Sequence, residues 1–257
     1  MKFYKYQGTG NDFVMIDNRD NSISLSQKDI AKLCHRRFGV GADGLIFLTL
    51  EDGYDFRMIY HNADGAEGSM CGNGGRCTVK FAHDLGLFTK ETRFIAVDGL
   101  HEAEVLSDGT VSLGMVDVKE LESQNGDYFC NTGSPHVVQF VENVSDFDVF
   151  GEGAAIRNSD FWQQKGGTNV NFLEQKGKQE ISVRTFERGV EDETYSCGTG
   201  VTACALIINS VKEMNSPIKV TTLGGNLSIS FDKIGKGYQN IKLIGPAMMV
   251  FEGFLVN

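Results

Sequence analysis

No run of apolar residues in this 257-residue chain approaches the length of a membrane span. The opening residues, Met1-Lys2-Phe3-Tyr4-Lys5-Tyr6, lack the apolar core of a signal peptide. No membrane partner is therefore expected, and a cytoplasmic address with reduced thiols is. Positive charge is scarce: 24 Lys and Arg stand against 34 Asp and Glu, a net charge of −10. With no basic stripe to set against phosphate, a nucleic-acid partner is excluded. Proline is nearly absent at 3 residues while glycine reaches 31, a balance that suits many tight turns between short strands and not a disordered linker. The six cysteines (34, 71, 77, 130, 197 and 204) contain no Cys-x-x-Cys, and the five histidines show no ligand spacing, so no metal site is expected. At that density, and without a secretion signal, a disulfide framework is not expected either.

What remains is an ordinary globular composition, 41% hydrophobic and 23% charged, in a chain long enough for one large domain or two small ones. Its focus is Met70-Cys71-Gly72-Asn73-Gly74-Gly75-Arg76-Cys77, which follows the polar loop Asn62-Ala63-Asp64-Gly65 and opens into an apolar run from Thr78 to Leu85 that reads as a helix. The same device recurs at Ser196-Cys197-Gly198-Thr199-Gly200, ahead of a helix predicted over Val201 to Val211. Each copy follows a strand, Phe56–Tyr60 for the first and Val183–Glu187 for the second. A lone cysteine is most often a small core hydrophobe. Two copies in matching strand-loop-helix settings point instead to a duplicated half-chain with two opposed thiols. A thiol at a helix start sits at the positive end of the dipole, which favours thiolate.

The remaining elements read as short strands at Phe3–Tyr6, Phe13–Asp17, Leu45–Leu50, Arg93–Val97, His101–Leu106 and Thr110–Val116 in the first half. In the second half they fall at Val137–Val141, Asn169–Glu174, Ile181–Phe186, Lys219–Thr222, Leu227–Phe231, Ile241–Leu243 and Met248–Phe254. Ser26 with Asp29 marks a helix start, predicting a helix over Gln27–Arg37. The Val201–Val211 helix is apolar nearly all round, so strands must wrap it on every side. The expected fold is α/β (α+β): two pseudo-symmetric lobes, 1–117 and 118–246, each a curved, mostly antiparallel sheet round a central helix, with the active site in the cleft between them.

Two thiols from distant parts of a chain suit acid/base work on opposite faces of one carbon. A single base returns a proton to the face it came from; a thiolate on one side and a thiol on the other invert the centre. A thiol pKa of about 8.5, lowered towards neutrality at a helix start, keeps one proton shared between the pair. The dipole contributes only about 0.3–2 kcal/mol per helix end. Backbone N–H donors aimed at a developing oxyanion contribute about 3–4 kcal/mol each. The N–H groups of Gly72, Asn73, Gly198 and Thr199 are therefore expected to hold the reacting carboxylate.

These residues resemble the diaminopimelate epimerases along essentially the whole chain. The resemblance is carried by Gly8-Thr9-Gly10-Asn11-Asp12-Phe13, Phe38 to Gly44, Asn62 to Gly65, Cys71 to Cys77, Gly133-Ser134-Pro135-His136, Asn169-Val170-Asn171, Glu187-Arg188-Gly189 and Ser196 to Gly200. It implies epimerisation of LL- to meso-diaminopimelate without a cofactor, Cys71 and Cys197 being the acid/bases and His136 and Glu187 tuning them through charge. It implies that Asn11, Asn62, Asn169, Glu187 and Arg188 hold the distal end of a small amino-acid substrate, Arg188 by its carboxylate-matching fork. It also implies a homodimer with Phe251 at the contact, and a last strand, 247–257, that rejoins the first lobe. Gly44 and Ser134 depart from the family's pattern, where glutamine and asparagine are common; Ser134 still offers a hydroxyl, whereas Gly44 offers only backbone. Competing readings are a two-cysteine proline or hydroxyproline racemase, for which Glu187 and Arg188 lack a purpose, and a thiol-disulfide redox or binding protein.

Overall fold

The computed structural model describes residues 1–124 and 126–256. Asn125 and Asn257 fall within the ranges 118–246 and 247–257 read from the sequence and lie outside the described residues. The chain divides into two compact units, residues 1–113 with 245–257, and residues 114–244.

The first unit runs β1 (Lys2–Gly8), β2 (Asn11–Asp17), α1 (Gln27–Cys34), β3 (Gly44–Glu51), β4 (Tyr54–Asn62), α2 (Gly72–Asp84), β5 (Glu91–Ala96), β6 (Gly99–Val105) and β7 (Val111–Gly114). The second continues with β8 (Glu122–Gln124), β9 (Asp127–Asn131), β10 (Pro135–Phe140), α3 (Val149–Arg157), α4 (Asp160–Gln164), β11 (Asn169–Gln175), β12 (Glu180–Glu187), β13 (Asp192–Thr194), α5 (Gly198–Lys212), β14 (Ile218–Thr222), β15 (Gly225–Ile234) and β16 (Gly237–Gly245). The last strand, β17 (Met248–Phe254), returns to the first unit and pairs antiparallel with β1.

The two units repeat one pairing scheme. In the first, β17 and β1 are antiparallel, β1 and β2 antiparallel, β2 and β3 parallel, β3 and β4 antiparallel, β4 and β5 parallel, then β5, β6 and β7 antiparallel in turn. In the second, β8, β9 and β10 are antiparallel in turn, β10 and β11 parallel, β11 and β12 antiparallel, β12 and β14 parallel, then β14, β15 and β16 antiparallel. The duplication inferred from two short cysteine motifs thus extends through the main sheet order, β13 on β12 being an addition of the second unit. Each parallel step is bridged by helix, as a crossover requires. α2 is wrapped by β1, β2, β3, β4, β6 and β17, and α5 by β9, β10, β11, β12, β14 and β15. Full wrapping explains why Val79, Phe81 and Ala82 of α2, and Ala203 to Ile208 of α5, are wholly buried.

Local chemistry sets the helix ends. At α1, Ser26 Oγ accepts from Asp29 N–H at 3.3 Å and the Asp29 carboxylate accepts from Ser26 N–H at 3.1 Å, a reciprocal cap. The helix stops at Cys34, short of the predicted Arg37, because His35 turns to extended backbone and its Nδ1 accepts the N–H groups of Arg37 and Phe38 at 3.1 and 3.2 Å. α2 starts at Gly72, well before Thr78, and so includes glycines that propensity disfavours in a helix. Packing overrides propensity there. A side chain on Gly75 would strike Met70 Cε at 2.5 Å and Leu113 Cδ2 at 2.9 Å, so the absence of one lets the first turns lie directly on their neighbours. Asp146 to Phe161, a segment without clear periodicity, contributes α3 and the start of α4, which pack through Val149 and Trp162 against Phe172 and Phe186. Among the described residues no helix is long and apolar enough to cross a membrane.

Candidate active site

In the first unit, Cys71 is the N-cap of α2, and its sulfur accepts from the Gly74 N–H at 3.5 Å. The first intrahelical bond runs from Gly75 N–H to Cys71 O at 2.7 Å, so the N–H groups of Gly72 and Asn73 precede the helical ladder and lie at its positive end. The Cys71 thiol donates to Asn11 Oδ1 at 3.5 Å, and Asn73 Nδ2 donates to the same oxygen at 3.3 Å. The Asn11 amide is held in that orientation because its Nδ2 donates to Asp43 Oδ2 at 2.7 Å. Asp43 belongs to a charged cluster. Arg36 bonds it at 2.6 Å and bonds both oxygens of Asp12, while Lys5 contacts Asp12 at 2.6 Å. Burial alone would raise the Asp12 carboxyl, but the bonds from Arg36 and Lys5 hold it at about 2.

Arg76, one turn into α2, is wholly buried. Its guanidinium donates to Gly72 O at 3.3 Å, Asn73 Oδ1 at 3.0 Å, Thr9 Oγ1 at 3.2 Å and Pro246 O at 3.5 Å. Burial pushes it down to about 10, so it keeps its charge at neutral pH, and it interacts electrostatically with Cys71. In the sequence Arg76 stands out only as a member of the Cys71 to Cys77 motif. The available signal was a cation inside an apolar helix with no acid one turn away.

In the second unit, Cys197 is the N-cap of α5, and Val201 N–H makes the first helical bond to Cys197 O at 2.9 Å. Its sulfur lies 3.4 Å from Thr199 Oγ1, and Thr199 Oγ1 lies 2.8 Å from His136 Nε2. His136, second in β10, lies in parallel register with Asn169 at the start of β11. Asn171 Nδ2 reaches His136 Nδ1 at 3.1 Å, and its amide is oriented by donation to Val137 O at 2.8 Å and acceptance from Thr185 Oγ1 at 2.9 Å. Nδ1 is therefore the acceptor and Nε2 carries the ring proton. Gly200 must lack a side chain, because a Cβ there would collide with Asn171 Oδ1 and crowd His136 Cε1 at 3.3 Å.

Burial, with Arg188's charge adding to it, pushes His136 down to about 3. With the ring neutral, the contact that joins it to Cys197 is the Thr199 hydroxyl, 2.8 Å from Nε2 and 3.4 Å from Cys197 Sγ. Asn169 donates to Ser134 Oγ at 2.7 Å and Pro135 O at 2.9 Å, and accepts from Arg188 N–H at 2.9 Å, so it ties two loops together. Arg188 is exposed, with Nη1 donating to Gly166 O at 3.0 Å, and Glu187 is half-buried with Oε2 accepting from Thr194 Oγ1 at 3.0 Å.

The expected residues therefore gather at two helix starts. Asn11, Gly72 and Asn73 surround Cys71; Ser134, His136, Gly198 and Thr199 surround Cys197, with Asn169, Glu187 and Arg188 at the adjoining strand ends. Asn62 ends β4 opposite Gly44, and Glu187 ends β12 next to Phe186, which pairs with Val170. Phe251 stands apart on β17, 45% exposed, with its ring edge-on to Phe3 at 6.1 Å. Asp43, Arg76, Thr132 and Asn171 complete the two sets, Thr132 by donating to Thr199 O at 2.9 Å. The other four thiols are of a different kind. Burial raises Cys34 to about 11, Cys77 and Cys130 to about 12, and Cys204 well above the usual range, so all four keep their protons at neutral pH. Among the described residues no group of His, Cys, Asp and Glu has the arrangement of a metal site.

Residues 3–119 and 128–250 match the diaminopimelate epimerase family. The diaminopimelate epimerase of Flavobacterium psychrophilum is 51% identical over 257 residues, covering 98% of this chain and 99% of the relative. That of Aquifex aeolicus is 40% identical over 277 residues, covering 99% and 98%. Among solved structures, a phenazine biosynthesis protein of the PhzF family from Bacillus anthracis superposes with a TM-score of 0.78 at 15% identity, covering 100% of this chain and 99% of that one. A probable proline racemase from Agrobacterium radiobacter does so with a TM-score of 0.72 at 13% identity, covering 99% and 92%. At such identities the likeness is one of fold.

Proposed function

The chain belongs to the diaminopimelate epimerase family, and from that membership we propose that it inverts LL-diaminopimelate to meso-diaminopimelate with Cys71 and Cys197 on opposite faces of the α-carbon. It is an isomerase of a family that works without pyridoxal phosphate. One sulfur, as thiolate, removes the α-hydrogen as a proton and becomes a thiol. The other, as thiol, delivers its proton to the opposite face and becomes the thiolate. The proton count of the pair is unchanged; only the site of charge moves.

The observation that carries this reading is the pairing of unlike with like. Two of the six thiols cap glycine-started helices at equivalent points of a repeated topology, while none of the other four caps a helix start and burial raises each of them. The N–H groups of Gly72, Asn73, Gly198 and Thr199 receive the carboxylate as charge develops on it, each worth about 3–4 kcal/mol by analogy with oxyanion holes. Asn11, Asn62, Ser134, Asn169, Glu187 and Arg188 serve the distal amino-acid end. The reaction belongs to lysine and peptidoglycan precursor synthesis, in the cytoplasm, whose reducing conditions keep both sulfurs available. A homodimer forms through β17, where Met249, Val250 and Phe251 are 50%, 57% and 45% exposed.

Purified protein is expected to interconvert LL- and meso-diaminopimelate and to take up deuterium at the inverted carbon in heavy water. Cys71→Ala or Cys197→Ala abolishes inversion, and Cys34→Ala leaves it nearly intact. Turnover of proline or hydroxyproline in place of diaminopimelate, or a requirement for added pyridoxal phosphate, overturns the reading.

A further inference from the structure

The repeated topology allows the two units to be compared position by position, and at one position they differ in kind. Asn169 opens β11, whose pairing with β12 begins one residue on at Val170 opposite Phe186, and its amide organises Ser134 and Arg188. Its counterpart Gly44 opens β3 opposite Asn62 and has no side chain. A Cβ on Gly44 would stand 2.5 Å from His61 O, 2.5 Å from Tyr60 Cε2 and 3.1 Å from Tyr60 Oη. The ring of Tyr60 therefore occupies the space where a side chain from residue 44 would begin.

A second glycine, from a different segment, makes room for the same ring. A Cβ on Gly68 would stand 2.5 Å from both Tyr60 Cδ1 and Cε1, and 3.0 Å from Asn62 Oδ1. Gly68 N–H also donates to Tyr60 O at 2.9 Å, fixing this loop against β4. Tyr60 and Asn62 are two residues apart on that strand, so their side chains share a face. Phe13 meets the ring edge-on at 5.9 Å and completes its clasp. A half-buried phenol held between two glycines, beside Asn62 and at the start of β3, is a rigid support for one hydroxyl.

We propose that Tyr60 is a specificity-determining residue whose hydroxyl hydrogen-bonds the distal amino-acid end of the substrate, in the place that a side chain at Gly44 would otherwise serve. This rests on the reading that diaminopimelate is the substrate. A phenol donates to a carboxylate and accepts from an ammonium, so either charged group of that end suits it. The change from a residue-44 side chain to a strand-borne ring supplies the polar contact that a glycine cannot.

The test is Tyr60→Phe, which keeps the ring and removes only the hydroxyl. The KM for LL-diaminopimelate is expected to rise about ten-fold or more, as loss of a hydrogen bond to a charged group implies, with kcat within about two-fold and an unchanged melting temperature. An unaltered KM in a wild-type background that turns over diaminopimelate overturns the role of Tyr60 alone. A fall in kcat with KM unchanged also overturns it, since that places the hydroxyl in the chemistry and not in recognition. Wild-type protein inert towards diaminopimelate but active on another amino acid overturns the functional reading and this inference with it.

Discussion

His136 donates through Nε2 to Thr199 Oγ1 at 2.8 Å, and the direction of that bond is set from behind the ring by Asn171, which donates to Nδ1. The Thr199 hydroxyl keeps its own proton while accepting from His136 and lies 3.4 Å from Cys197 Sγ, within reach to donate to a thiolate there. A donor aimed at sulfur favours thiolate. Thr199→Val removes that donor while nearly conserving volume. The expected result is a 10- to 100-fold loss of kcat/KM, in line with one hydrogen bond to a charged group, with the acid limb of the pH–rate profile moved to higher pH. Thr199→Ser restores both. A Val variant with a wild-type pH profile would remove Thr199 from the relay.

In the first unit the charged neighbour of Cys71 is Arg76, with which it interacts electrostatically. Its guanidinium is buried among carbonyl, amide and hydroxyl oxygens at 3.0 to 3.5 Å. Arg76→Met removes the cation and leaves those acceptors unmet, at a cost of about 1–3 kcal/mol in stability. If the charge also supports the Cys71 thiolate, the variant loses activity beyond its loss of folded protein, and its acid limb moves up in pH. Arg76→Lys keeps a positive charge and is expected to recover most of that shift, even where its melting temperature stays low. Equal pH profiles for Met, Lys and wild type would confine Arg76 to packing.

Much of this is legible in the chain itself, and the reason is local. Cys71 and Cys197 each come with their own glycines, strand and helix inside about thirty residues, so periodicity and turn chemistry reach them. His136 carried no such local signature and rested on resemblance. Its neutral state follows from complete burial and from Asn171, 35 residues away, which no pattern along the chain encodes. Tyr60 was passed over for the same reason, since its place depends on Gly44 and Gly68 at once. The early start of α2 was missed because glycines argue against helix until their neighbours are known, and the three-residue strands β8 and β13 are too short to show a period. The repeat itself was visible only at its cysteines. Sheet partners preserve topology while the side chains between them diverge.

Burial of a neutral histidine makes folding depend on pH in a window that can be named. His136 is held at about 3 when folded, against 6.5 for an ordinary histidine. Between those values the unfolded chain binds the extra proton and the folded chain does not, so stability falls as pH falls from about 6.5 towards 3. Within that span the contribution approaches about 1.4 kcal/mol per pH unit. Asp12 acts in a lower window. Its folded value of about 2 lies below the ordinary 3.8, so its contribution is present above 3.8 and is lost as pH falls from there to 2. Urea denaturation at pH 7.5 and 5.0 separates the two, because that interval spans the ordinary histidine value and lies above the Asp12 window. Wild-type protein is expected to lose about 2 kcal/mol over that interval, and His136→Gln, which cannot take a proton, to lose markedly less. Parallel losses in the two proteins would mean that position 136 does not carry the acid sensitivity.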